Sequence, residues 1–205
     1  MLKSILVDGK KIDRKLAVFA RLRLHPNVLS MMALVLAVLG FVFLWGHHLL
    51  LGFLFFLSSG FMDMVDGAVA RATGQVSTKG AFLDGVLDRY VEALLILGLM
   101  AYLGPDARFL VPIDFWIALL IFGAVMTTFV RAYADHRGLV TDQTVLSTKM
   151  GGFLERAERL ILLYLGMLGA LAFGDAWLVG CIVLAAVLSN LTAIQRTMLA
   201  IRYGK

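Results

Sequence analysis

Charged residues are scarce in this sequence. Only 16% of its 205 residues are charged, whereas 60% are hydrophobic, and the mean hydropathy is +0.88. A soluble domain is about 45–50% apolar. A soluble fold of this length would have to bury nearly all of that apolar surface in one core, but a lipid bilayer accepts long apolar segments without a core. The composition therefore indicates an integral membrane protein.

Cysteine is also scarce. Cys181 is the only cysteine in the sequence, so an internal disulfide is excluded. The first residues, 1–15, have charges on both sides of a very short apolar patch, so we expect no signal peptide. No repeat of about 20–50 residues and no low-complexity segment is visible. We therefore expect one domain at 26–205, preceded by an amphipathic juxtamembrane segment at 1–25.

Six apolar stretches are long enough to cross a hydrocarbon layer of about 30 Å. They cover residues 28–46, 49–70, 82–103, 113–134, 156–173 and 176–195. Residues 10–24 combine one apolar and one basic helical face, which suits a helix lying in the membrane interface. The sequence thus predicts an all-α membrane protein with six transmembrane helices that follow an amphipathic interfacial helix.

Basic residues predict the orientation and the partners. The formal net charge is +5, and Lys and Arg are concentrated before the first span, after the last span and at the second and fourth connections. In so hydrophobic a chain, basic residues more often mark cytoplasmic loops and lipid headgroup contacts than a nucleic-acid site. We expect membrane lipid and no nucleic acid as partners, with both termini and the polar loop at 72–80 on the cytoplasmic side.

Four aspartates lie in or beside the second and third spans, namely Asp63, Asp66, Asp84 and Asp88. A charge at mid-bilayer costs at least about 2.5–3.5 kcal/mol on insertion scales, so four of them need compensation. The members of each pair are three or four positions apart and project from one helix face. Because a short connection makes the two helices antiparallel neighbours, the two pairs should meet near the cytoplasmic edge.

Facing carboxylates can bind hard cations. Oxygen ligands, with no Cys or His nearby, favour Mg²⁺, Mn²⁺ or Ca²⁺ over zinc. Four negative charges suit two ions better than one, and two ions about 3.5–4 Å apart can hold a phosphate. The alternative is a set of structural ion pairs with Arg71 or Arg89, but one or two arginines cannot neutralise four aspartates. Glu92, one turn beyond Asp88, suits either a contact with the metal ligands or a pairing with Arg89, and the structural pairing is favoured.

The spacing between the aspartates is specific. From Asp63 to Asp88 the chain reads D-x2-D-G-x2-A-R-x8-G-x3-D-x3-D, a stretch of 26 residues. This pattern resembles the signature of the CDP-alcohol phosphotransferase family at eight specified positions. The six spans and the amphipathic N-terminal segment are similar to the family over nearly the whole chain.

The resemblance implies roles for individual residues. In this family the first three aspartates, here Asp63, Asp66 and Asp84, bind metal, while the fourth, Asp88, completes the metal site and is the proposed general base. The expected cofactors are two divalent cations, Mg²⁺ or Mn²⁺. The positions that contact the cytidine diphosphate of a CDP-linked lipid donor are matched by Asp66, Gly67, Ala70, Arg71 and Gly80.

Three more arginines are candidates for the second substrate. Arg131, Arg159 and Arg196 all lie at helix ends predicted to be cytoplasmic. Converging positive charge favours an anionic acceptor, whereas ordinary snorkelling at the interface is the alternative. The segment GGFLERAERL resembles the phosphatidylinositol-phosphate synthase branch, which implies that the three arginines bind the phosphate of inositol 1-phosphate or another phosphorylated alcohol.

Several alternatives remain open from the sequence. The related archaeal branch transfers an archaetidyl group, and an apolar groove would accept either kind of tail. Phosphatidylglycerol-phosphate synthase, which uses glycerol 3-phosphate, is the alternative among enzymes with a phosphorylated acceptor. A CDP-inositol-dependent di-inositol phosphate synthase would usually carry a cytidylyltransferase domain. A cation transporter would spread its acidic residues over several helices. The family resemblance also implies a homodimer.

Overall fold

The computed structural model describes residues 26–140 and 151–204. These residues form six helices and one short pair of strands. In chain order they are α1 (Pro26–Trp45), α2 (Leu49–Thr73), α3 (Thr78–Leu103), β1 (Arg108–Phe109), β2 (Val111–Pro112), α4 (Ile113–His136), α5 (Arg156–Phe173) and α6 (Ala176–Tyr203). The interfacial helix predicted at 10–24 lies outside the described residues.

The helical class and the six helices agree with the prediction from the apolar stretches. Four helices, α1, α2, α4 and α6, are long and apolar enough to cross a membrane, which identifies an integral membrane protein. Helices α3 and α5 have 26 and 18 residues. Both carry charged side chains, α3 along its N-terminal half and α5 in its first turn. Their charge lowers their mean hydropathy below that of the other four.

The connection between α2 and α3 is shorter than the polar loop predicted at 72–80. Gly74 ends α2 with a left-handed φ of 68°, which glycine adopts without a steric penalty. The hydroxyl of Ser77 accepts a hydrogen bond from the backbone N–H of Gly80 at 3.0 Å and caps the start of α3. Gly74 and Ser77, both within the predicted loop, thus cap the two helices. Both helices extend into the region predicted as a loop.

The strand pair is a feature that the sequence did not predict. Phe109 pairs with Val111 in an antiparallel register, and Leu110 turns between them with a φ of 60°. The indole N–H of Trp116 donates a hydrogen bond to the backbone oxygen of Phe109 at 2.8 Å. Strands of two residues are too short for an alternating pattern to show in the sequence.

Two compact units make up the chain, Met1–Tyr102 and Leu103–Lys205. In the first unit α1 packs along α2. A Cβ atom at Gly52 would lie 2.5 Å from Leu44, and one at Gly98 of α3 would lie 2.8 Å from the same side chain. Small residues therefore let these helices approach closely. The assignment of residues 26–205 to a single domain stays a prediction.

In the second unit, α6 packs against both α4 and α5. The amide of Asn190 donates a hydrogen bond to the backbone oxygen of Leu119 at 2.8 Å and joins α6 to α4. A Cβ atom at Gly166 would lie 2.8 Å from the Cβ of Cys181. The single cysteine is thus a packing residue between α5 and α6, where a small neighbour makes room for it.

Candidate active site

Three aspartates of α2 and α3 bring their carboxylates together. One carboxylate oxygen each from Asp63, Asp66 and Asp84 lies within 4.8 Å of the other two. Oxygen ligands that bind one Mg²⁺ or Ca²⁺ at about 2.0–2.6 Å lie within about 5 Å of one another. The three carboxylates therefore fit a hard divalent cation, and no imidazole or thiolate belongs to this group.

Helix geometry explains this arrangement. Asp63 and Asp66 are almost one turn apart on α2 and project from the same side, while Asp84 lies near the start of α3. Asp66 is buried, with 5% of its surface exposed, and the charges of the other two carboxylates act on it. Negative charges this close repel one another strongly at a buried position. A bound cation would relieve that repulsion.

Ser30 of α1 is a member of this cluster that sequence reasoning missed. Its hydroxyl donates a hydrogen bond to Oδ2 of Asp66 at 2.5 Å. A short hydrogen bond to a carboxylate is charge-assisted and restricts the orientation of the acceptor. Ser30 therefore orients Asp66, the most buried of the three aspartates.

Asp88 lies one turn beyond Asp84 on α3 and is half-buried, but it does not belong to the group of three carboxylates. Its spacing places it on the same side of α3 as Asp84. On the next turn, Glu92 contacts Nη1 of Arg89 at 3.0 Å, which agrees with the structural partnership that the sequence suggested for these two residues.

A pocket of about 240 Å³ adjoins the acidic cluster. Its lining includes all five residues that the family resemblance assigns to the cytidine diphosphate, namely Asp66, Gly67, Ala70, Arg71 and Gly80. Asp84 also lines it. The structure thus places the nucleotide-binding candidates and two of the metal-binding candidates around one cavity.

The shape and charge of this pocket suit a phosphorylated ligand. A Cβ atom at Gly67 would lie 3.2 Å from Nη1 of Arg71, so the glycine leaves room for the guanidinium. Ser77, the cap of α3, lines the pocket together with Ser30 and the Gln75–Val76 segment. The N-terminus of α3 therefore lies at the pocket, and a helix N-terminus attracts anions. Sequence reasoning did not identify these additional lining residues.

The second unit contains a cluster of arginines. Arg159 and Arg196 are buried, with 0% and 6% of their surfaces exposed, while Arg131 is exposed. The positive charges of Arg131 and Arg159 both act on Arg196. The three arginines predicted for the acceptor phosphate are thus close enough to interact electrostatically.

Partners from α4, from α6 and from the residue that precedes α5 hold the buried arginines. Nη1 of Arg196 donates to the backbone oxygen of Thr127 at 2.6 Å, and Nη2 contacts Oε1 of Glu155 at 3.2 Å. Nη1 of Arg159 lies 3.4 Å from the hydroxyl oxygen of Ser189. Buried cations persist only with such partners. Thr127, Glu155 and Ser189 are members of this cluster that sequence reasoning did not name.

Known proteins resemble this chain over nearly its full length. The family model of the CDP-alcohol phosphatidyltransferases matches residues 23–195. The archaetidylinositol phosphate synthase of Pyrococcus horikoshii is 30% identical over 198 residues, which is 96% of this chain and 94% of that protein.

Two crystal structures of the phosphatidylinositol phosphate synthase of Mycobacterium tuberculosis share the fold. The structure with CDP-DAG bound has a TM-score of 0.76 at 26% identity and covers 94% of this chain and 93% of that chain. The structure in complex with manganese and citrate has a TM-score of 0.76 at 27% identity and covers 94% and 88%. The sequence signature, the acidic cluster and the extent of these matches show that this chain belongs to the CDP-alcohol phosphatidyltransferase family.

Proposed function

We propose that this protein transfers a diradylglycerol-phosphate group, phosphatidyl or archaetidyl, from a CDP-linked lipid to inositol 1-phosphate and releases CMP. One observation carries the proposal: the cluster of Asp63, Asp66 and Asp84 adjoins a pocket lined by the nucleotide-binding residues of the family signature. The choice of acceptor is supported by relatives that are named archaetidylinositol phosphate synthase and phosphatidylinositol phosphate synthase.

Two divalent cations, Mg²⁺ or Mn²⁺, are the proposed cofactors. Asp63, Asp66 and Asp84 would hold them together with Asp88, one turn farther along α3. When bound, such cations supply positive charge that offsets the pyrophosphate of the donor and the leaving phosphate. The manganese in the structure of the Mycobacterium tuberculosis enzyme supports this choice.

The remaining chemistry belongs to side chains of α2 and α3. Arg71 binds a phosphate of the donor and stabilises the charge that develops on the departing CMP. Asp88 accepts the proton of the acceptor hydroxyl, whose oxygen then forms a bond to the β-phosphorus of the donor. The bond from that phosphorus to the bridging oxygen breaks, and CMP leaves with the electron pair.

The arginine cluster is the proposed site for the phosphate of the acceptor. Arg196 and Arg159 are buried, and Arg131 adds a third positive charge. A neutral alcohol would add no negative charge to this cluster, whereas a phosphate monoester carries up to two negative charges and three oxygens that match guanidinium groups. An acceptor that is already phosphorylated is therefore favoured.

The proposal includes a membrane arrangement. All six helices cross the bilayer, since even α5, with 18 residues, spans about 27 Å at about 1.5 Å per residue. Both termini and the acidic cluster face the cytoplasm. Lys and Arg are concentrated before the first span, after the last span and at the second and fourth connections, and such residues are enriched on the cytoplasmic side of membrane proteins. Residues 26–205 form one catalytic domain, and the protein is a homodimer, as the family resemblance implies.

A competition between acceptors tests the proposed function. The full-length enzyme in liposomes is given labelled CDP-diacylglycerol or its archaeal ether analogue, Mg²⁺, and equal amounts of inositol 1-phosphate and glycerol 3-phosphate. We expect the inositol-phosphate lipid as the main product, identified by mass spectrometry. A main product derived from glycerol 3-phosphate would instead identify a phosphatidylglycerol-phosphate synthase. The donor that reacts faster shows which lipid the enzyme uses.

A further inference from the structure

On one edge of the Arg196 guanidinium, only one of the two N–H donors has a hydrogen-bond partner among the described residues. Nη1 donates to the backbone oxygen of Thr127 at 2.6 Å, and Nη2 contacts Oε1 of Glu155 at 3.2 Å. Nε is on the same edge as Nη2, and it is buried without a hydrogen-bond partner among residues 26–140 and 151–204. Nε and Nη2 together can bind two oxygens of one anion in parallel. Glu155 therefore occupies one of two donors that an oxyanion could use.

Two further arginines act on the pair formed by Arg196 and Glu155. Glu155 contributes one negative charge, whereas Arg131 and Arg159 both add positive potential at Arg196. An anion with two charges and several oxygens, such as a phosphate monoester, would compensate this potential better than one carboxylate. The site therefore suits a doubly charged anion better than a single carboxylate.

Glu155 is placed so that it can leave while Arg196 stays. The side chain of Glu155 is 40% exposed, whereas that of Arg196 is 8% exposed. The backbone N–H of Glu155 donates to the carboxylate of Glu158 at 2.8 Å, which holds this residue at the start of α5. The carboxylate of Glu155 also accepts the backbone N–H of Glu158 in this capping box, so turning towards solvent gives up one cap contact. The contact from Glu158 to the Glu155 backbone still holds the helix start, and the backbone oxygen of Thr127 keeps the guanidinium of Arg196 in position.

We infer that Glu155 is an internal competitor of the acceptor phosphate: its carboxylate holds Arg196 until a phosphate monoester displaces it and takes both Nε and Nη2. This inference rests on the proposed function of the arginine cluster as the acceptor site. It makes Glu155 a residue that sets specificity, because a phosphate dianion displaces the carboxylate and a weaker, singly charged anion does not.

Phosphate binding to a charge-neutral variant tests the inference. Inorganic phosphate is titrated calorimetrically into the detergent-solubilised full-length protein, with EDTA present so that no cation at the aspartates can bind it. The variant Glu155→Gln keeps the length and a hydrogen-bond acceptor but removes the competing charge. We expect it to bind phosphate about two- to fivefold more tightly than wild type, the range for a partly exposed ion pair. Weaker binding would mean that Glu155 only positions Arg196 and would overturn the inference.

Matched variants make the result specific. Glu158→Gln removes the same charge from the same helix turn, and we expect a smaller effect on phosphate binding than that of Glu155→Gln. In an Arg196→Gln background the effect of Glu155→Gln should disappear, and a persisting effect would overturn the inference. If Glu155→Gln lowers the unfolding temperature, Glu155→Asp, which draws the carboxylate back by one methylene group, should also tighten phosphate binding.

The same titrations separate this inference from the proposed function. Phosphate that fails to bind wild type, or binds it equally well after Arg196→Gln, would contradict the acceptor site itself. Phosphate binding that depends on Arg196 but is weakened by Glu155→Gln would contradict only the role of Glu155 as a competitor.

Discussion

Asp66 is the most buried aspartate of the acidic cluster. It is 5% exposed, and Ser30 fixes one of its oxygens through a hydrogen bond of 2.5 Å. The carboxylates of Asp63 and Asp84 lie close to it. Because a fixed, buried carboxylate cannot move away from neighbouring negative charge, a bound cation should stabilise the folded protein as well as bind the donor.

The role of Asp88 is tested by removing its basicity alone. In the variant Asp88→Asn, a carboxamide of the same shape cannot accept the proton of the acceptor hydroxyl. Loss of a general base typically slows turnover by about 10²–10⁴-fold. We expect this loss in the rate of CMP release, while the affinity for the CDP-lipid, measured by calorimetry with Mg²⁺, stays near that of wild type. Near-normal turnover would refute the role as a base, and loss of donor affinity would show that the carboxylate charge of Asp88 is needed to hold the cations, its other proposed role.

At the residue scale, the contacts that could be predicted from the sequence are those set by the spacing of residues within helices and across a short connection. Helical periodicity and a short connection are enough to bring Asp63 and Asp66 near Asp84. Contacts between distant positions were missed, such as Ser30 with Asp66, which are 36 positions apart. The contact between Arg196 and the backbone oxygen of Thr127, 69 positions away, was missed as well. Such contacts depend on how helices pack, which no single stretch of sequence specifies.

At the scale of helices and connections, apolar length predicted the elements well and polar residues predicted their ends poorly. Helix α5 has the bounds expected from its apolar stretch, but α6 continues to Tyr203 rather than ending near residue 195. Polar and basic residues there remain helical because a helix does not need an apolar face at every turn. Helix ends depend instead on caps such as Gly74 and Ser77.

The segment that leads into α5 depends on a glycine. A Cβ atom at Gly152 would overlap Cγ2 of Thr192, which is completely buried on α6. Thr192 also holds the chain two residues farther on, because the backbone N–H of Leu154 donates a hydrogen bond to its hydroxyl at 3.0 Å. The lack of a side chain at Gly152 therefore lets this segment lie against α6, where Glu155 contacts Arg196.

We expect Gly152→Ala to destabilise the protein by about 1–3 kcal/mol, the usual result of overpacking a tight contact. A lower unfolding temperature in detergent would measure this loss. Gly151→Ala is the matched control, because among residues 26–140 and 151–204 a Cβ atom there would meet only Oε1 of Glu155, at an ordinary distance of 3.8 Å. Adding Thr192→Ser, which removes Cγ2 but keeps the hydroxyl, should restore part of the stability. Equal unfolding temperatures for the two glycine variants would contradict the overlap.

At the scale of the whole molecule, two clusters of opposite charge lie in separate units. The acidic cluster and the nucleotide pocket belong to Met1–Tyr102, and the arginine cluster belongs to Leu103–Lys205. This division suits a transferase whose two substrates both carry phosphate. In the proposed function, the acidic cluster would recruit the donor phosphate through cations, with help from Arg71, and the arginine cluster would recruit the acceptor phosphate through guanidinium groups alone.

The central claim is that the acidic cluster makes transfer from a CDP-lipid depend on a divalent cation. The most direct test measures CMP release from CDP-diacylglycerol with inositol 1-phosphate, first in EDTA and then after Mn²⁺ or Mg²⁺ is restored. The proposal predicts no release in EDTA, recovery with either cation, and no recovery in the folded variant Asp66→Asn. An undiminished rate in EDTA, or full activity of Asp66→Asn, would contradict it.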